Sequence, residues 1–290
     1  MSAMKLSICI VTLNAESSLR KCLRSLKTSR YLCESEIIVV DNNSHDQTVN
    51  MLEKDFPSIR LICNRRNEGF SKAINQAIYE SGGELILLLN PDTIVRKNTI
   101  NELLKVINNQ PEVGICGPKV LNEDQSFQKS CRRGLATPWN VFTYFSGLSR
   151  LFPHLSLFTG YHLSHIHEDQ PSDVDGVSGS CMLIRRKLIN EIGFFDDQYF
   201  AYQEDSDYCI RAKKRGWKIY FVPSSTLIHI QGTGGSNTIP HRSIYEWHRS
   251  YFLFYKKHYA VNYFFLFNFI FYLIMMLKLI STEIVYTLRS

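Results

Sequence analysis

Two glycine signatures by which nucleotide folds commonly hold phosphate are missing: no G-x-G-x-x-G follows an apolar run, and no G-x-x-x-x-G-K-[ST] occurs. A dinucleotide pyrophosphate fingerprint and a P-loop are thereby excluded. The eight cysteines (9, 22, 33, 63, 116, 131, 181, 209) contain no C-x-x-C pair, which removes the usual zinc and dithiol spacings. Several sit inside apolar patterns, so the expectation is buried free thiols. Met1-Ser-Ala-Met-Lys5 leads into a strand without the basic region, apolar core and cleavage site of a signal peptide. With free thiols, this predicts that the bulk of the chain faces a reducing cytoplasm. Low-complexity stretches and solenoid-length repeats are absent too. Charge of one sign is sparse, the net being +6 over 290 residues. The basic groups Arg132-Arg133, Lys213-Lys214-Arg215 and Lys256-Lys257 are scattered, which suits acidic small molecules or an anionic membrane and not a nucleic-acid groove. Each pair alone reads as solvated surface.

What is present is apolar mass, 44% of residues, and alternation. Glu84-Leu-Ile-Leu-Leu-Leu-Asn-Pro-Asp-Thr93 holds an uncharged run that reads as a strand buried on both faces. Pro91 cannot donate to a ladder, so the strand should stop at Asn90 and leave Asp92 at its carboxyl end. Upstream, strands are expected at Leu6 to Leu13, Glu36 to Val40 and Ile59 to Cys63. Helices are expected at Ala15 to Lys27, after a capping box Ser44-His-Asp-Gln47 through about Lys54, and at Ser71 to Ser81. This βαβα rhythm predicts an α/β, doubly wound, mostly parallel sheet.

Polar residues collect at the end of each strand: Thr12 and Asn14, then Asp41 to Ser44, then Asn64 to Gly69, then Asn90 and Asp92. Parallel strands would bring all four groups to one crevice, which favours a nucleotide site. Without a glycine fingerprint, the economical counter-charge for a diphosphate is Mg²⁺ or Mn²⁺ on a strand-end carboxylate.

The second half differs. In Val174 to Ile184, Gly176 and Gly179 loosen a turn that feeds a strand, allowing substrate close to the backbone. Tyr199-Phe-Ala-Tyr-Gln-Glu-Asp-Ser-Asp207 then sets aromatics before carboxylates at 204, 205 and 207. That arrangement suits a raised pKa and general-base work, or alternatively an acidic helix start favoured by the dipole. Residues 138–166 are aromatic but broken by Arg150 and Pro153: an acceptor-side or membrane-facing insertion, or a local helical core. From Ala260 to Leu277 run 18 residues without a charge, at the lower limit for a membrane span. An interfacial helix is the rival reading, and membrane attachment is the expectation in either case.

Ser7-Ile-Cys-Ile-Val-Thr-Leu-Asn14, Val40-Asp-Asn-Asn-Ser44, Asn67-Glu-Gly-Phe70, Leu89-Asn-Pro-Asp92, Gly179-Ser-Cys-Met182, Phe200 to Asp207 and His229 together resemble family 2 glycosyltransferases of the GT-A fold, in the rhamnosyltransferase-like branch. The resemblance covers about residues 5–258. It implies a GT-A domain at 1–258 and a hydrophobic membrane-associated tail at 259–290. It implies that Asp41 bonds the pyrimidine of a nucleotide-sugar, with Thr12 and Asn14 beside it and Asn67 and Gly69 in the same site. Asn90-Pro-Asp92 stands where the family has D-x-D, so Asp92 would hold Mg²⁺ or Mn²⁺ with His229, and Asn90 would face ribose or diphosphate; the first acid of the motif is lost. Gly179, Ser180 and Tyr202 would meet the acceptor. Asp205 would be the base of an inverting transfer, with Glu204 orienting the acceptor or sharing that role.

The implied activity is transfer of a sugar, best guess L-rhamnose from dTDP-rhamnose (or another dTDP- or UDP-sugar), to a polyprenyl-diphosphate-linked glycan. It would take place at the cytoplasmic face of the inner membrane in cell-surface polysaccharide synthesis, with no nucleic acid involved. Two alternatives stand beside it. A sugar nucleotidyltransferase would need a glycine- and basic-rich loop where Thr12-Leu-Asn-Ala-Glu-Ser stands; the other is a non-catalytic nucleotide-sugar-binding membrane scaffold.

Overall fold

The computed structural model describes residues 5–29, 35–230 and 240–289; Cys33, the segment before Lys5 and the run after Ile230 that follows His229 lie outside them. In chain order the elements are β1 (Leu6–Thr12), α1 (Glu16–Leu26), β2 (Ser35–Asp41), α2 (Thr48–Asp55), β3 (Arg60–Cys63), α3 (Phe70–Glu80), β4 (Leu85–Leu89), β5 (Thr93–Val95), α4 (Thr99–Asn109), β6 (Val113–Leu121) and β7 (Arg132–Arg133). Then come α5 (Pro138–Phe145), α6 (Leu148–Leu151), α7 (Ser156–Thr159), β8 (Ser172–Asp173), β9 (Gly176–Val177), β10 (Cys181–Arg185), α8 (Arg186–Ile192), α9 (Glu204–Lys214), β11 (Lys218–His229), α10 (Pro240–His258) and α11 (Phe265–Arg289).

Among the described residues, nine strands share one sheet in the order β3-β2-β1-β4-β10-β6-β11-β5, with β8 also on β11. The run β3-β2-β1-β4 is parallel. Right-handed crossovers then place α1 and α2 on one face and α3 on the other, because the chain steps outward from β1 to β3 and returns to β4. Both faces are covered, which is why every residue of β1 and β4 is buried. Each Leu or Ile so buried contributes about 1.5–3 kcal/mol, so a charge inside either run would be costly.

Past β4 the parallel rule breaks. Strand β10 is antiparallel to both β4 and β6, pairing Cys181 with Leu89 and Arg185 with Leu85. Strand β5, three residues long and directly after the Asn90-Pro91-Asp92 turn, is antiparallel to β11 and sets Thr93 opposite His229. Such short strands carry no periodicity to read. The expected capping box is also corrected. Helix α2 starts at Thr48 without a side-chain cap at its boundary residue Gln47, because Asp46 takes the Thr48 N–H (2.9 Å) while Ser44 turns back to accept from the Asn14 N–H (2.8 Å). Cys63 is exposed, unlike the other six described cysteines, which are buried and free. Arg132 is no surface residue either. It is 1% exposed, lies over the rings of Phe127 and Phe221, and donates to the Ile166 and His167 carbonyls.

Residues 138–166 form three short helices. Thr137 caps α5 by accepting the Asn140 N–H, and Pro138 occupies its first turn. Behind them a second apolar cluster joins Ala136, Val141, Tyr199, Ile210, Tyr251 and Phe254, with Met275 of α11 packed on it.

Candidate functional site

A cleft of ≈ 520 Å³ opens between the ends of β1 and β4, where the strand order reverses. Thr12, Asn67, Gly69, Asn90, Asp92, Gly179, Ser180, Tyr202, Glu204, Asp205 and His229 all line it. Asn14 and Asp41 are not in the lining. The Asn14 side-chain carbonyl accepts the His45 N–H at 2.7 Å, so this residue, at φ 48°, shapes the loop after β2. Asp41 is buried at the end of β2; its Oδ2 accepts the Ser44 N–H (2.9 Å), while Oδ1 has no partner. Thr12 Oγ1 is likewise buried without a partner. Unpaired buried polar groups at the carboxyl ends of strands need a partner from outside the protein, a water or a ligand.

Asn42, a lining residue that the sequence placed at the crevice within Asp41 to Ser44 without a role of its own, organises the next loop. Its Nδ2 donates to Asn67 Oδ1 (3.0 Å) and the Gly69 carbonyl (3.1 Å), and its Oδ1 accepts from Glu68 N and Asn64 Nδ2. Gly69 sits at φ 87°, and a Cβ there would meet the Phe200 carbonyl oxygen at 2.6 Å. Only glycine fits. The approach is used: Phe70 N–H donates to that same oxygen, tying the loop before α3 to the loop before α9.

Asp92 and His229 meet because β5 pairs with β11, reinforced by Ile230 N–H donating to the Asp92 carbonyl (3.0 Å). Gln128 fixes the imidazole. Its amide nitrogen donates to Asn122 Oδ1 (2.9 Å), which turns Oε1 toward His229 Nδ1 at 3.0 Å. Nδ1 therefore carries the proton, and Nε2 presents its lone pair. That lone pair lies 3.1 Å from Asp92 Oδ1, a buried oxygen with no hydrogen bond. With Nε2 protonated the two groups form an ion pair; with the ring neutral two acceptors face each other and a cation would fit between them. Two ligands about 2.1 Å from an octahedral ion at right angles stand about 3 Å apart, so the spacing fits Mg²⁺ or Mn²⁺. No group of three or more His, Cys, Asp or Glu side chains converges among the described residues, so Asp92 and His229 are the two side chains here that could hold such an ion. Asn90 Nδ2 is 3.4 Å from His229 Nε2.

Across the cleft, Tyr202 (φ 69°) and Gln203 (φ 62°) both adopt left-handed backbone just before α9. Such strain persists where surrounding contacts impose it and clusters at working sites. It turns Glu204 and Asp205 into the cleft. Asp205 Oδ2 accepts from Arg133 and from the Gly179 N–H (3.0 Å), and Oδ1 from the Ser206 N–H (2.6 Å) and hydroxyl (3.2 Å). Glu204 has a buried Oε2 without a partner. Burial, then the adjacent Asp205 charge, push its carboxyl well above the usual range. Asp207 is outside the lining: fully buried, it takes Arg211 (2.9 Å), Lys257 (2.7 Å) and His258 (2.7 Å), and so pins α9 to α10.

Sequence reasoning missed Arg133, Gln128, His162, Arg242 and Trp247, all in the lining. The paired arginines were visible but looked like surface. Burial, then the charge of Arg133, lower His162 to about 4, keeping a neutral ring there.

The model of the family described as Glycosyl transferase family 2 matches residues 7–193. An N-acetylglucosaminyl-diphospho-decaprenol L-rhamnosyltransferase of Mycobacterium tuberculosis is 29% identical over 216 residues, 71% of this chain and 68% of that protein. A dTDP-rhamnosyl transferase, RfbF, of Shigella flexneri is 26% identical over 228 residues, 77% of this chain and 68% of its own. In structure, the mannosyltransferase PcManGT of Pyrobaculum calidifontis, solved with GDP-Man and Mn²⁺, superposes with a TM-score of 0.58 at 15% identity over 87% of this chain. This chain spans 64% of that protein's length.

Proposed function

From the premise that this chain belongs to glycosyl transferase family 2, on a GT-A fold and in a rhamnosyltransferase-like branch, we propose that it is an inverting rhamnosyltransferase. Its donor is dTDP-L-rhamnose, or failing that another dTDP- or UDP-sugar, and its acceptor a polyprenyl-diphosphate-linked glycan. The observation that carries this reading is the facing pair Asp92 Oδ1 and His229 Nε2 on one wall of a cleft whose other wall presents Glu204 and Asp205. Bound there, Mg²⁺ or Mn²⁺ would offset charge on the leaving diphosphate.

The chain's own groups do the rest. Thr12 and Asp41 offer free acceptors to the base. Asn90 faces the ribose or diphosphate. The carboxyl of Glu204, kept protonated, donates to a sugar hydroxyl, while Asp205 takes the acceptor's proton; environments that separate two adjacent carboxyls assign their roles. The acceptor hydroxyl displaces the Ser206 hydroxyl from Asp205, its oxygen bonds the anomeric carbon, and the bond to the diphosphate breaks on the opposite side with the electron pair leaving on the nucleotide. Gly179, Ser180 and Tyr202 flank that path. Residues 1–258 form the transferase domain. Residues 259–290 attach it to a membrane, which suits the cytoplasmic face of the inner membrane and a lipid-linked acceptor; the described part includes a helix, Phe265–Leu288, long and apolar enough for a span.

Release of nucleoside diphosphate on mixing donor with lipid acceptor tests the activity, and a thermal-shift panel of UDP-, dTDP- and GDP-sugars tests the donor. A shift by UDP-hexoses alone removes rhamnose; binding without release in any mixture leaves the scaffold reading; formation of a nucleotide-sugar with release of pyrophosphate from a nucleoside triphosphate and a sugar 1-phosphate indicates a nucleotidyltransferase.

A further inference from the structure

We infer that α11 lies flat in the membrane interface, as the outer half of a hairpin with α10, and does not cross the bilayer. This rests on the membrane attachment proposed above and says how it is made. Helix α11 folds back antiparallel along nearly all of α10. Tyr255 stacks on Phe271 at 3.7 Å and donates to Asn268; Phe252 meets Tyr272 at 4.7 Å; the Lys278 ammonium lies 4.4 Å from the Trp247 ring; His241 pairs with Glu283 at 2.6 Å. Helix α10 is in turn fixed to the catalytic domain. Tyr251 and Phe254 are buried, Ser250 donates to the Ala201 carbonyl (2.7 Å), and Lys257 and His258 hold Asp207. A crossing α11 would have to drag α10, with Arg242, Glu246, Arg249 and Lys256, into hydrocarbon or abandon every one of these contacts.

The sidedness of α11 agrees. Asn268, Lys278 and Glu283 all turn toward α10, while Leu266, Phe269, Leu273, Leu277, Ile280 and Ile284 are exposed. Ile270, Ile274, Met276 and Val285 are exposed as well, so along this 25-residue helix of about 37 Å the outward surface is uncharged and meets lipid, while α10 covers the side that carries Asn268, Lys278 and Glu283. The apolar surface continues onto α5–α7, where Trp139, Phe142, Leu151 and Leu157 are exposed and Phe145 sits beneath Lys278. Lipid is the occupant because the patch joins two separate elements and the chain carries a net charge of +6, which an anionic surface complements. Trp247 both lines the cleft and carries Lys278 of α11, so the cleft opens beside the lipid surface and a lipid-linked acceptor enters from the membrane plane.

Two measurements on the full chain test this. Green fluorescent protein or alkaline phosphatase is joined after Ser290 in a bacterial host, and purified protein is floated with vesicles of anionic phosphatidylglycerol and phosphatidylethanolamine. The expected result is a fluorescent fusion, an inactive phosphatase, flotation of the wild type, and at least a tenfold drop in the floated fraction for Leu273→Glu with Leu277→Glu, circular dichroism and donor-induced thermal shift being unchanged. An active phosphatase overturns the flat placement and leaves membrane attachment standing. Failure of the wild type to float removes both. If the double variant instead turns a sedimenting dimer into a monomer while vesicles have no effect, the face covers a second copy of this chain and the inference is wrong.

Discussion

Replacing Asp205 by Asn tests both the proton acceptor and the ion pair with Arg133. The carboxylate accepts from Arg133, Gly179, and both the backbone and side chain of Ser206. Asn has nearly the same shape and keeps an oxygen for the Gly179 N–H, but it cannot take a proton. Loss of a general base lowers turnover by roughly 10²–10⁴, equivalent to about 2.7–5.4 kcal/mol on the barrier. Stability should fall too. The Arg133 and Asp205 side chains are only 14% and 11% exposed, and removing one member of such a pair costs roughly 3–5 kcal/mol, here toward the lower end because one bond survives. Glu204→Gln should behave oppositely. The raised Glu204 carboxyl binds a proton in the folded chain that it has lost in the unfolded one, so the wild type loses stability as pH rises from 4.5 through the raised value. The Gln variant lacks that loss, so its melting temperature should match or exceed that of the wild type above pH 5. Nucleoside-diphosphate release at saturating donor, with melting curves from pH 4 to 9, measures all of this. Near-normal turnover in Asp205→Asn with a dead Glu204→Gln would move the base one residue along, and full activity in both would refute the inverting mechanism.

Three further outcomes follow from the same contacts. Asp92→Ala should weaken donor binding by at least roughly 10–100-fold as well as lowering turnover, and full activity of the wild type in excess EDTA would reject the cation placed between Asp92 and His229. Gln128→Leu removes the acceptor that fixes the His229 tautomer, so half-maximal activity should need roughly 10–100-fold more Mn²⁺ with the donor's own ceiling in kcat retained; an unchanged Mn²⁺ titration would contradict it. Asp207→Asn should cost roughly 3–5 kcal/mol at neutral pH while donor still binds. Despite burial, its bonds from His258 and Lys257 hold that carboxyl low, so its contribution is present above 3.8 and lost as pH falls through the folded value, and the gap to wild type in melting temperature should narrow in acid.

The parallel half of the fold was legible because β1, β2 and β4 each hold an apolar run (Ile8 to Val11, Ile37 to Val40, Leu85 to Leu89) ending in a polar turn, and α1 carries its apolar residues at helical spacing. Its polar strand ends likewise pointed to Thr12, Asn90 and Asp92 in one cleft. Strands β5, β8 and β9 were invisible, being two or three residues long and defined by partners far away in the chain. The Ser44 to Gln47 pattern misled because Ser44 bonds across to Asn14 and not along its own helix. Asn14 matched a motif yet serves a loop. Arg133 and Gln128 carry no local signal at all: each acquires its role only when β7 and the turn before it fold beside the cleft. Tail helix α11 was recognised by its lack of charge, but its true end lies beyond Lys278, whose charge is absorbed by Phe145 and Trp247.

Strand β10, running against both its neighbours, has a consequence for how such a chain diversifies. It brings the start of one strand to the edge where β1 and β4 finish, so the groups assigned to the nucleotide come mainly from before residue 93 and those assigned to the acceptor from after residue 127, on separate stretches of backbone. Exchange of 128–214 between relatives, with seams in the loops outside β6 and β11, would alter what receives the sugar while the donor pocket is inherited whole. Gln128, at the seam, and Phe200, whose carbonyl takes the Phe70 N–H beside Gly69, would have to be kept with the donor side, as His229, which returns to Asp92 from β11, already is.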